Sequence, residues 1–492
     1  MSCSQDELRV AIIGAGPAGL FAAESLLRDP HTRVDVFDRL FAPYGLLRYG
    51  VAPDHPNIRR LVTTFARTLA HDRLRLFAGI RYGADVTLDE LRAHYHGVIF
   101  ATGAESDRRL DIPGEDLAGS VSATAFVGWY NGHPDHRELQ PRLDHERVAV
   151  IGAGNVALDV ARILLRTPDE LHATDIAPLA LERLAGSAVR EVCIIARRGP
   201  CHTRFTPPEV RELSRMADAA PFVPADAFTS DPDAVEGRLG DRSNERVVEL
   251  LRSYVADAPA PGRRTLRFVF CADPVAIDPD PAGTRCGALV LARNELYRDD
   301  NGNVAARRTG QHHRLEVGAV IRAIGYRGTP LPDLPFDPRS ATIPEQDGRV
   351  TTQDGRVLPG VYVTGWARRG PTGVIGTNRP DAEQTITALL ADVAARRVAT
   401  PPAAELPDIT ALLDNRCARW IDRDRWARLE AIERATGERL GRPSYRITSA
   451  DDAWQALATD DDPTPRSAHQ TSTETARETG ARQRPAGNPD GT

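Results

Sequence analysis

Two glycine-rich segments have the spacing that lets a polypeptide backbone wrap around a phosphate group. One is Gly14-Ala-Gly16-Pro-Ala-Gly19, and the other is Gly152-Ala-Gly154-Asn-Val-Ala157. The first glycine of such a segment permits a tight turn, the second lets a pyrophosphate approach the backbone, and the third position brings helix and strand close together. Two segments in one chain predict two bound dinucleotides, and therefore electron transfer between them.

The first segment lies between elements that would position it. Val10-Ala-Ile-Ile13 is a short apolar run typical of a buried strand, and apolar residues with helical spacing follow from Leu20 to Leu27. A second apolar run ends in Asp38, 24 residues after Gly14, where a carboxylate suits two ribose hydroxyls and repels a 2′-phosphate. This half of the chain is therefore predicted to bind FAD or NAD, although an ordinary glycine turn would have the same local sequence.

The strand predicted after the second glycine segment leads into positive charge, whereas the corresponding strand after the first segment ends in an acid. The second segment follows the apolar run Val148-Ala-Val-Ile151. The next predicted strand, Val192-Cys-Ile-Ile-Ala196, leads into Arg197 and Arg198. Two guanidinium groups there favour the 2′-phosphate of NADP. The 45 residues from Gly152 to Arg197 exceed the roughly 20 of a minimal nucleotide-binding unit, so a solvated arginine pair is the alternative.

The composition narrows the class of protein. A chain of 492 residues with 41% hydrophobic residues can form two or three domains, and a dispersed net charge of -6 with no basic arm argues against nucleic acid as a partner. All 62 basic residues are arginine, which excludes Schiff-base chemistry and the P-loop lysine. Hydride transfer is left open, because the cofactor carries that chemistry.

The cysteines form no C-x-x-C pair, which argues against a redox dithiol, a zinc site or an iron-sulfur cluster, so we expect no metal. The N-terminal segment has no basic region, and no run of about 18 apolar residues follows, so a cytoplasmic protein without a membrane span is expected. The six cysteines are Cys3, Cys193, Cys201, Cys271, Cys286 and Cys417.

Two predicted strands that end in glycine, at 98–103 and 319–325, indicate crossings between domains. The predicted fold class is α/β, with two Rossmann-like dinucleotide-binding domains and the NADP domain inserted into the FAD domain. The expected boundaries are 1–108 and 326–458 for the FAD domain and 109–325 for the NADP domain. Residues 459–492 lack Ile, Leu, Val, Met, Cys and aromatic residues, so a disordered tail is predicted.

Four longer motifs carry a more specific resemblance. They are the stretch from Pro43 to Pro56, GAGNVALDVARILL from Gly152, RRGP from Arg197, and GWARRGPTGVIGTNRPDAEQT from Gly365. Together they resemble the adrenodoxin-reductase-like ferredoxin-NADP reductases from about residue 8 to about residue 457. A long helical insertion before the arginine pair is normal in that family, so the resemblance accounts for the 45 residues between Gly152 and Arg197.

The resemblance implies where both cofactors bind. Ala15 and Gly16 would contact the FAD pyrophosphate and Asp38 its ribose, while Gly373 would also lie near the nicotinamide. Further residues implied at the FAD are Leu46, Ile80, Trp366, Val374 and Ile375. The residues implied at NADP are Gly154, Asn155, Val156, Ala157, Arg197, Arg198 and, nearby, Glu209.

The same resemblance implies a catalytic pair, His55 and Glu212, which would manage protons and nicotinamide position during hydride transfer. Read from the residues alone, these two would be a loop histidine and a solvated helix residue. One departure from the family lies between them, because Cys201-His-Thr-Arg204 occupies a stretch that is largely apolar or amide in relatives. The details of the nicotinamide pocket depend on this stretch.

The implied function is ferredoxin-NADP reduction, in which NADPH gives a hydride to FAD and single electrons then pass to an iron-sulfur ferredoxin. That ferredoxin would be a separate protein. Two alternatives stay open: a flavin-dependent NADPH oxidoreductase or monooxygenase acting on a small organic substrate, and a redox-sensing subunit with little turnover. Arginines expected to attract an acidic ferredoxin are Arg211, Arg215, Arg368 and Arg369.

Overall fold

The architecture comes from a computed structural model that describes residues 7–398, 408–416 and 418–459. The predicted tail, apart from Thr459, lies outside the described residues, as do Cys3 and Cys417. In the described part of the chain, no helix combines the length and the apolar character needed to cross a bilayer.

Nineteen strands and seventeen α-helices make up the described chain. The strands are β1 (Leu8–Ile13), β2 (Thr32–Asp38), β3 (Leu74–Ala78), β4 (Gly97–Phe100), β5 (Ser106–Asp107), β6 (Ser120–Ser122), β7 (Arg147–Ile151), β8 (Glu191–Ile195), β9 (Ala219–Pro224), β10 (Val255–Ala256), β11 (Arg264–Val269), β12 (Ala272–Pro279), β13 (Cys286–Arg298), β14 (Val304–Glu316), β15 (Ala319–Arg322), β16 (Tyr326–Arg327), β17 (Glu345–Gln346), β18 (Arg349–Thr351) and β19 (Val357–Val363).

The helices are α1 (Pro17–Leu26), α2 (Leu46–Tyr49), α3 (Pro56–Arg59), α4 (Leu61–Leu69), α5 (Leu88–His94), α6 (Ala123–Asn131), α7 (Asn155–Leu165), α8 (Pro168–His172), α9 (Pro178–Ala185), α10 (Pro207–Glu212), α11 (Pro232–Glu236), α12 (Arg242–Arg252), α13 (Trp366–Arg369), α14 (Asn378–Ala394), α15 (Ile409–Asn415), α16 (Arg423–Arg439) and α17 (Ala450–Ala458).

The first glycine loop belongs to a seven-stranded sheet with the order β17-β18-β19-β4-β1-β2-β3. Five of these strands run parallel, and β17 and β18 complete the edge in antiparallel pairs. Strand β19 pairs with β4 through Val361 opposite Val98, so two distant parts of the chain build one sheet. Helices α1, α14 and α16 contribute buried apolar residues to the core on one face.

The second glycine loop belongs to another seven-stranded sheet, in which all neighbouring strands pair in parallel, with the order β10-β9-β11-β8-β7-β15-β6. Fully buried runs such as Val148–Ile151 in β7 are expected where helices or other layers cover both faces of a parallel sheet. Helix α7 covers one face, and an antiparallel sheet of β12, β13 and β14 packs apolar residues against the other.

The chain crosses between the two sheets twice, and the two crossings lie side by side. Strand β5 leaves the first sheet and β16 returns to it, and the two pair in antiparallel register with Asp107 opposite Tyr326. Ion pairs also join the two parts: Arg59 Nη1 lies 2.8 Å from Asp175 Oδ2, and Arg446 pairs with the same carboxylate. The segment after α16 therefore contributes to the contact between the two units.

Candidate active site

The first glycine loop needs two of its glycines for the protein's own packing. A Cβ on Gly14, where φ is +113°, would lie 2.5 Å from the carbonyl oxygen of Ala101, and one on Gly19 would lie 2.0 Å from the carbonyl oxygen of Gly14. A Cβ on Gly16 would find Gly45 Cα as its nearest heavy atom, at 3.8 Å. Among the residues that the structure describes, the Gly16 N–H has no acceptor. This space and this donor, at the start of α1, fit a phosphate.

Asp38 ends β2 beside this loop, where a ribose-binding acid is predicted. Its carboxylate accepts hydrogen bonds from the N–H of Ala15 at 2.7 Å and of Leu40 at 2.9 Å. Burial raises the pKa of Asp38 to about 6, although both hydrogen bonds act in the opposite direction. The N–H of Ala15 is therefore used by Asp38, and the pyrophosphate contact that the resemblance implied for Ala15 stays a prediction.

The two apolar residues predicted at the first cofactor differ in position. Leu46 begins α2 and is half-buried, so part of its side chain is open to contact. Ile80 is only 1% exposed and packs in the core, and its N–H donates to the Asp38 carbonyl oxygen at 2.9 Å. The Ile80 side chain is therefore enclosed by protein, and Ile80 stays a prediction that would need a backbone contact with the cofactor.

The second glycine loop repeats the geometry of the first. A Cβ on Gly152, where φ is +142°, would lie 2.2 Å from the carbonyl oxygen of Ala323, whereas a Cβ on Gly154 would meet nothing within 4 Å. Asn155 begins α7, and its side chain is held by Thr206, whose N–H donates to Asn155 Oδ1 at 2.9 Å. The predicted contribution of Asn155 is thus limited to its backbone in this arrangement. Val156 is half-buried and Ala157 is buried against the sheet.

Arg197 and Arg198 follow β8, where a 2′-phosphate is predicted. Arg197 is exposed and Arg198 is half-buried, and in the described part of the chain neither guanidinium forms an ion pair with a carboxylate. The following turn is fixed by Asp231, since a Cβ on Gly199 would lie 2.2 Å from Asp231 Oδ2. Two unpaired cations on a fixed turn make this position suited to an anion.

The segment after β19 returns to the first loop. Gly365 has a φ of +71°, and a Cβ there would lie 2.5 Å from Ala18 Cβ in α1, so only glycine permits this approach. Trp366 donates its indole N–H to the Thr372 carbonyl oxygen at 3.1 Å and stacks obliquely on Tyr326, with ring centroids 5.3 Å apart. The segment brings together the residues predicted at the flavin, among them Gly373 (φ +80°), Val374, which is 65% exposed, and the half-buried Ile375.

A buried ionic cluster joins the segment after α2 to helices α7 and α10, and the sequence prediction missed its centre. Arg162, on α7, is fully buried and forms a bidentate pair with Asp54 at 2.7 and 3.0 Å. It also donates to Asp159 at 2.7 Å and to Glu209 at 3.1 Å. Arg166 adds a contact to Asp54 at 2.8 Å. A run of charged residues three or four apart on an otherwise apolar helix was the one available signal.

His55 belongs to this cluster. Its Nε2 lies 3.0 Å from Asp159 Oδ1 and 3.1 Å from Glu209 Oε2, and Arg162 Nη2 lies 2.6 Å from the same nitrogen. Although burial alone would lower it, the hydrogen bonds to Asp159 and Glu209 raise the pKa of His55 to about 10. The raised pKa favours the protonated form of His55 at neutral pH, and the excess of carboxylates around Arg162 acts in the same direction.

Two acidic residues that the resemblance placed at the site have partners within the protein, and their roles stay predictions. Glu209 lies in the cluster with Arg162 and His55. Glu212 forms an ion pair with Arg215 at 2.5 Å and, among the described residues, none with His55. Glu212 pairs with Arg215 because the two residues are three apart, at the end of α10 and in the turn that follows it.

The arginines expected to dock an acidic partner are mostly engaged within the protein. Arg368 has a side chain only 10% exposed and pairs with Asp381 at 2.9 Å, and Arg369 pairs with the same carboxylate at 3.2 Å. Arg215 is paired with Glu212. Arg211 alone of the four is exposed without an ion pair in the described chain, so the expected patch is corrected to that single residue.

A first prediction concerns His55. We expect His55→Gln to lower the free energy of unfolding by about 2 kcal/mol at pH 7, because it removes charge-assisted hydrogen bonds to two carboxylates. The folded-state pKa of about 10 lies above the unfolded value of about 6.5. The stabilisation is therefore complete below about pH 6.5 and is lost as the pH rises through about 10.

Denaturant unfolding of both proteins across this pH range measures the effect. The matched control is His172→Gln, which changes an exposed histidine on α8. A stability difference that stays constant with pH would show that His55 is not held in its charged form.

The fold and the site define a class: a two-domain oxidoreductase that binds FAD and NADP. Residues 8–217 match the family model described as pyridine nucleotide-disulphide oxidoreductase. NADPH-ferredoxin reductase FprA of Mycobacterium tuberculosis is 42% identical over 453 residues, which cover 89% of this chain and 97% of FprA. Human mitochondrial NADPH:adrenodoxin oxidoreductase is 37% identical over 458 residues, covering 91% and 92% of the two chains.

A solved structure, Mycobacterium tuberculosis FprA in complex with NADPH, superposes with a TM-score of 0.85 at 40% identity and covers 92% of this chain and 99% of FprA. The chain belongs to the family of NADPH-ferredoxin reductases that contains FprA and NADPH:adrenodoxin oxidoreductase. The predicted fold class and the predicted family are confirmed.

The described cysteines do not have the properties of a redox dithiol. All four are free and buried, and a reactive thiolate needs a lowered pKa. Burial instead raises the pKa of Cys193 and Cys201 to about 12 and that of Cys271 and Cys286 to about 11. Their raised pKa values make these four thiols poor nucleophiles at neutral pH.

Proposed function

We propose that this protein is a FAD-dependent NADPH-ferredoxin reductase, which accepts a hydride from NADPH and passes single electrons to an iron-sulfur ferredoxin. The observation that carries the proposal is the opposite charge at two equivalent strand ends. Strand β2 ends in Asp38, whereas β8 leads into Arg197 and Arg198. The acid suits the unphosphorylated ribose of FAD, and the guanidinium groups suit the 2′-phosphate of NADPH.

The residues of the first domain fit FAD. Gly16 leaves a space and a free N–H donor at the start of α1, and no acidic residue in the first turn of that helix opposes a phosphate. Trp366 and the exposed Val374 supply surface on the returning segment. When bound, FAD accepts two electrons as a hydride and releases them one at a time.

The chain's own residues would control charge and protons near the nicotinamide. Asp159 lies one helical turn into α7, after the second glycine loop, and fixes His55 through its Nε2 atom. A charged His55 held by carboxylates can keep a proton at a defined position. We retain Glu212 as a proposed catalytic residue, because it follows Glu209 by one turn of α10 and so lies beside the cluster.

We also propose the domain boundaries. Residues 1–108 and 326–458 would form the FAD domain, and residues 109–325 the NADP domain. Sheet membership supports this division, since β1–β4 and β17–β19 share one sheet while β6–β11 and β15 contribute to the other.

An anaerobic titration of the purified holoprotein tests the function. NADPH is expected to bleach the flavin absorbance, and a purified iron-sulfur ferredoxin added next is expected to restore it while its own absorbance shows reduction. NADH serves as the control donor and should be much less effective. Flavin that NADPH cannot reduce would contradict the proposal in favour of a sensing subunit. Reduced flavin that ferredoxin does not reoxidise would favour an oxidoreductase acting on a small substrate.

A further inference from the structure

The segment Cys201-His-Thr-Arg204 lies between the arginine pair and the buried ionic cluster, and three of its four residues have partners. The N–H of Cys201 donates to Asp231 Oδ2 at 3.0 Å, and His202 Nε2 lies 3.2 Å from Asp231 Oδ1. The Thr203 hydroxyl donates to the Pro200 carbonyl oxygen at 3.1 Å. These polar groups hold the turn in place, whereas the Arg204 guanidinium has no partner among the residues that the structure describes.

The backbone of Arg204 is fixed to the second glycine loop. Its N–H donates to the Ala153 carbonyl oxygen at 2.7 Å, and Arg204 and Gly154 form a parallel β-bridge. Two residues further on, Thr206 is held by the Asn155 side chain at 2.9 Å. Arg204 therefore starts from a defined position beside Gly154, where a Cβ would meet no atom within 4 Å.

The Arg204 side chain is exposed, and its guanidinium forms no hydrogen bond or ion pair with any residue the structure describes. It adds to a local excess of positive charge. Burial lowers the pKa of Arg198, and the charges of Arg197 and Arg204 lower it further. The one nearby carboxylate that acts against this, Asp231, is already bonded to Cys201 and His202. A bound anion would relieve this repulsion.

We propose that Arg204 is a third phosphate-binding residue of the dinucleotide site, which contacts the pyrophosphate at the second glycine loop while Arg197 and Arg198 hold the 2′-phosphate. The assignment to the pyrophosphate follows from the backbone bridge to Gly154, the loop position with open space. The inference rests on the proposed function, because it takes NADPH as the ligand of this loop. Arg204 is then a binding residue common to NADPH and NADH, since both contain the pyrophosphate.

Calorimetric titration of the FAD-loaded protein with NADP⁺ and with NAD⁺ tests the proposal. Arg204→Ala is expected to raise both dissociation constants by about tenfold, the range of one charge-assisted contact at a solvated site. Arg204→Lys should retain most of the affinity, because it keeps the charge. The matched control is Arg183→Ala, which removes an exposed arginine on α9 and should change neither constant. Unchanged affinity in Arg204→Ala, or a loss confined to NADP⁺, would overturn the assignment.

The Arg197→Gln/Arg198→Gln double variant separates this proposal from the proposed function. If that variant binds NADP⁺ and NAD⁺ as the wild type does, Arg197 and Arg198 do not hold the 2′-phosphate, and the charge argument that carries the proposed function fails. If it loses NADP⁺ alone while Arg204→Ala binds both ligands normally, only the role of Arg204 fails. Flavin content and thermal unfolding of Arg204→Ala should match the wild type, since its side chain has no protein partner among the described residues.

Discussion

Replacing Arg197 and Arg198 together with glutamine is expected to lower kcat/KM for NADPH by about 10²- to 10³-fold and to leave kcat/KM for NADH within about twofold. A hydrogen bond to a charged group contributes about 1.5–3 kcal/mol, and each 1.36 kcal/mol is a factor of ten. Two full contacts to one phosphate would give about 10²- to 10⁴-fold, and the exposure of Arg197 places the expected loss in the lower part of that range. NADH lacks the 2′-phosphate and so loses nothing.

Steady-state kinetics with both nucleotides measure this ratio, and the two single variants show how the effect divides. Arg198→Gln should have the larger effect, because Arg198 is half-buried and Arg197 is exposed. The control Arg183→Gln removes a charge from the same proposed domain without changing the ratio. Equal losses for NADPH and NADH would show that the pair does not recognise the 2′-phosphate.

Arg162→Met is expected to lower the free energy of unfolding by about 3–5 kcal/mol at neutral pH. Arg162 is fully buried and neutralises carboxylates from three parts of the chain. Its loss leaves Asp54, Asp159 and Glu209 enclosed with too little positive charge. Denaturant unfolding of the FAD-loaded protein measures the change. Arg246→Met is the matched control, because it breaks an exposed i,i+3 pair with Glu249 that contributes at most about 1 kcal/mol.

The stability deficit of Arg162→Met should depend on pH. In the wild type, the charges of Arg162 and Arg166 overcome burial and hold the pKa of Asp54 well below its usual range. A depressed carboxyl pKa stabilises the fold above the unfolded value of about 3.9, and this contribution is lost as the pH falls. The deficit should therefore shrink below about pH 4, and Asp54→Asn should restore part of it at neutral pH. A deficit of the same size at every pH would mean that lost packing, and not charge, is the cause.

The sequence was most informative where chemistry is local. Each glycine loop and the strand end that follows it belong to one nucleotide-binding unit, in which consecutive elements of the chain are also neighbours in space. The first unit contains Gly14 and Asp38, and the second contains Gly152 and Arg197. The motif itself therefore predicted the nucleotide loops and the difference in charge between them. The confirmed fold class rests on the same units.

Predictions were less accurate where partners come from distant segments. Arg162 contacts residues 54, 159 and 209; only Asp159, three residues before it on α7, is close in sequence, and no linear pattern brings the other two to it. Glu212 pairs with Arg215, three residues away, and Arg368 on α13 pairs with Asp381 on α14, so both charges are occupied within the protein. Ile80 lies just after β3 and packs its side chain into the core, which a single apolar residue cannot indicate.

The pairing of β5 with β16 also bears on how such a chain can be built. Asp107 and Tyr326 face each other across one ladder, so the ends of everything between them are adjacent. The more than two hundred residues between them therefore form one loop whose ends are already closed. Strand β4 pairs with β19 as it would if a short connection joined the two strands. A module whose two ends lie together can be gained or lost by a host fold with little loop-closure entropy, which makes this junction the natural point at which to excise it.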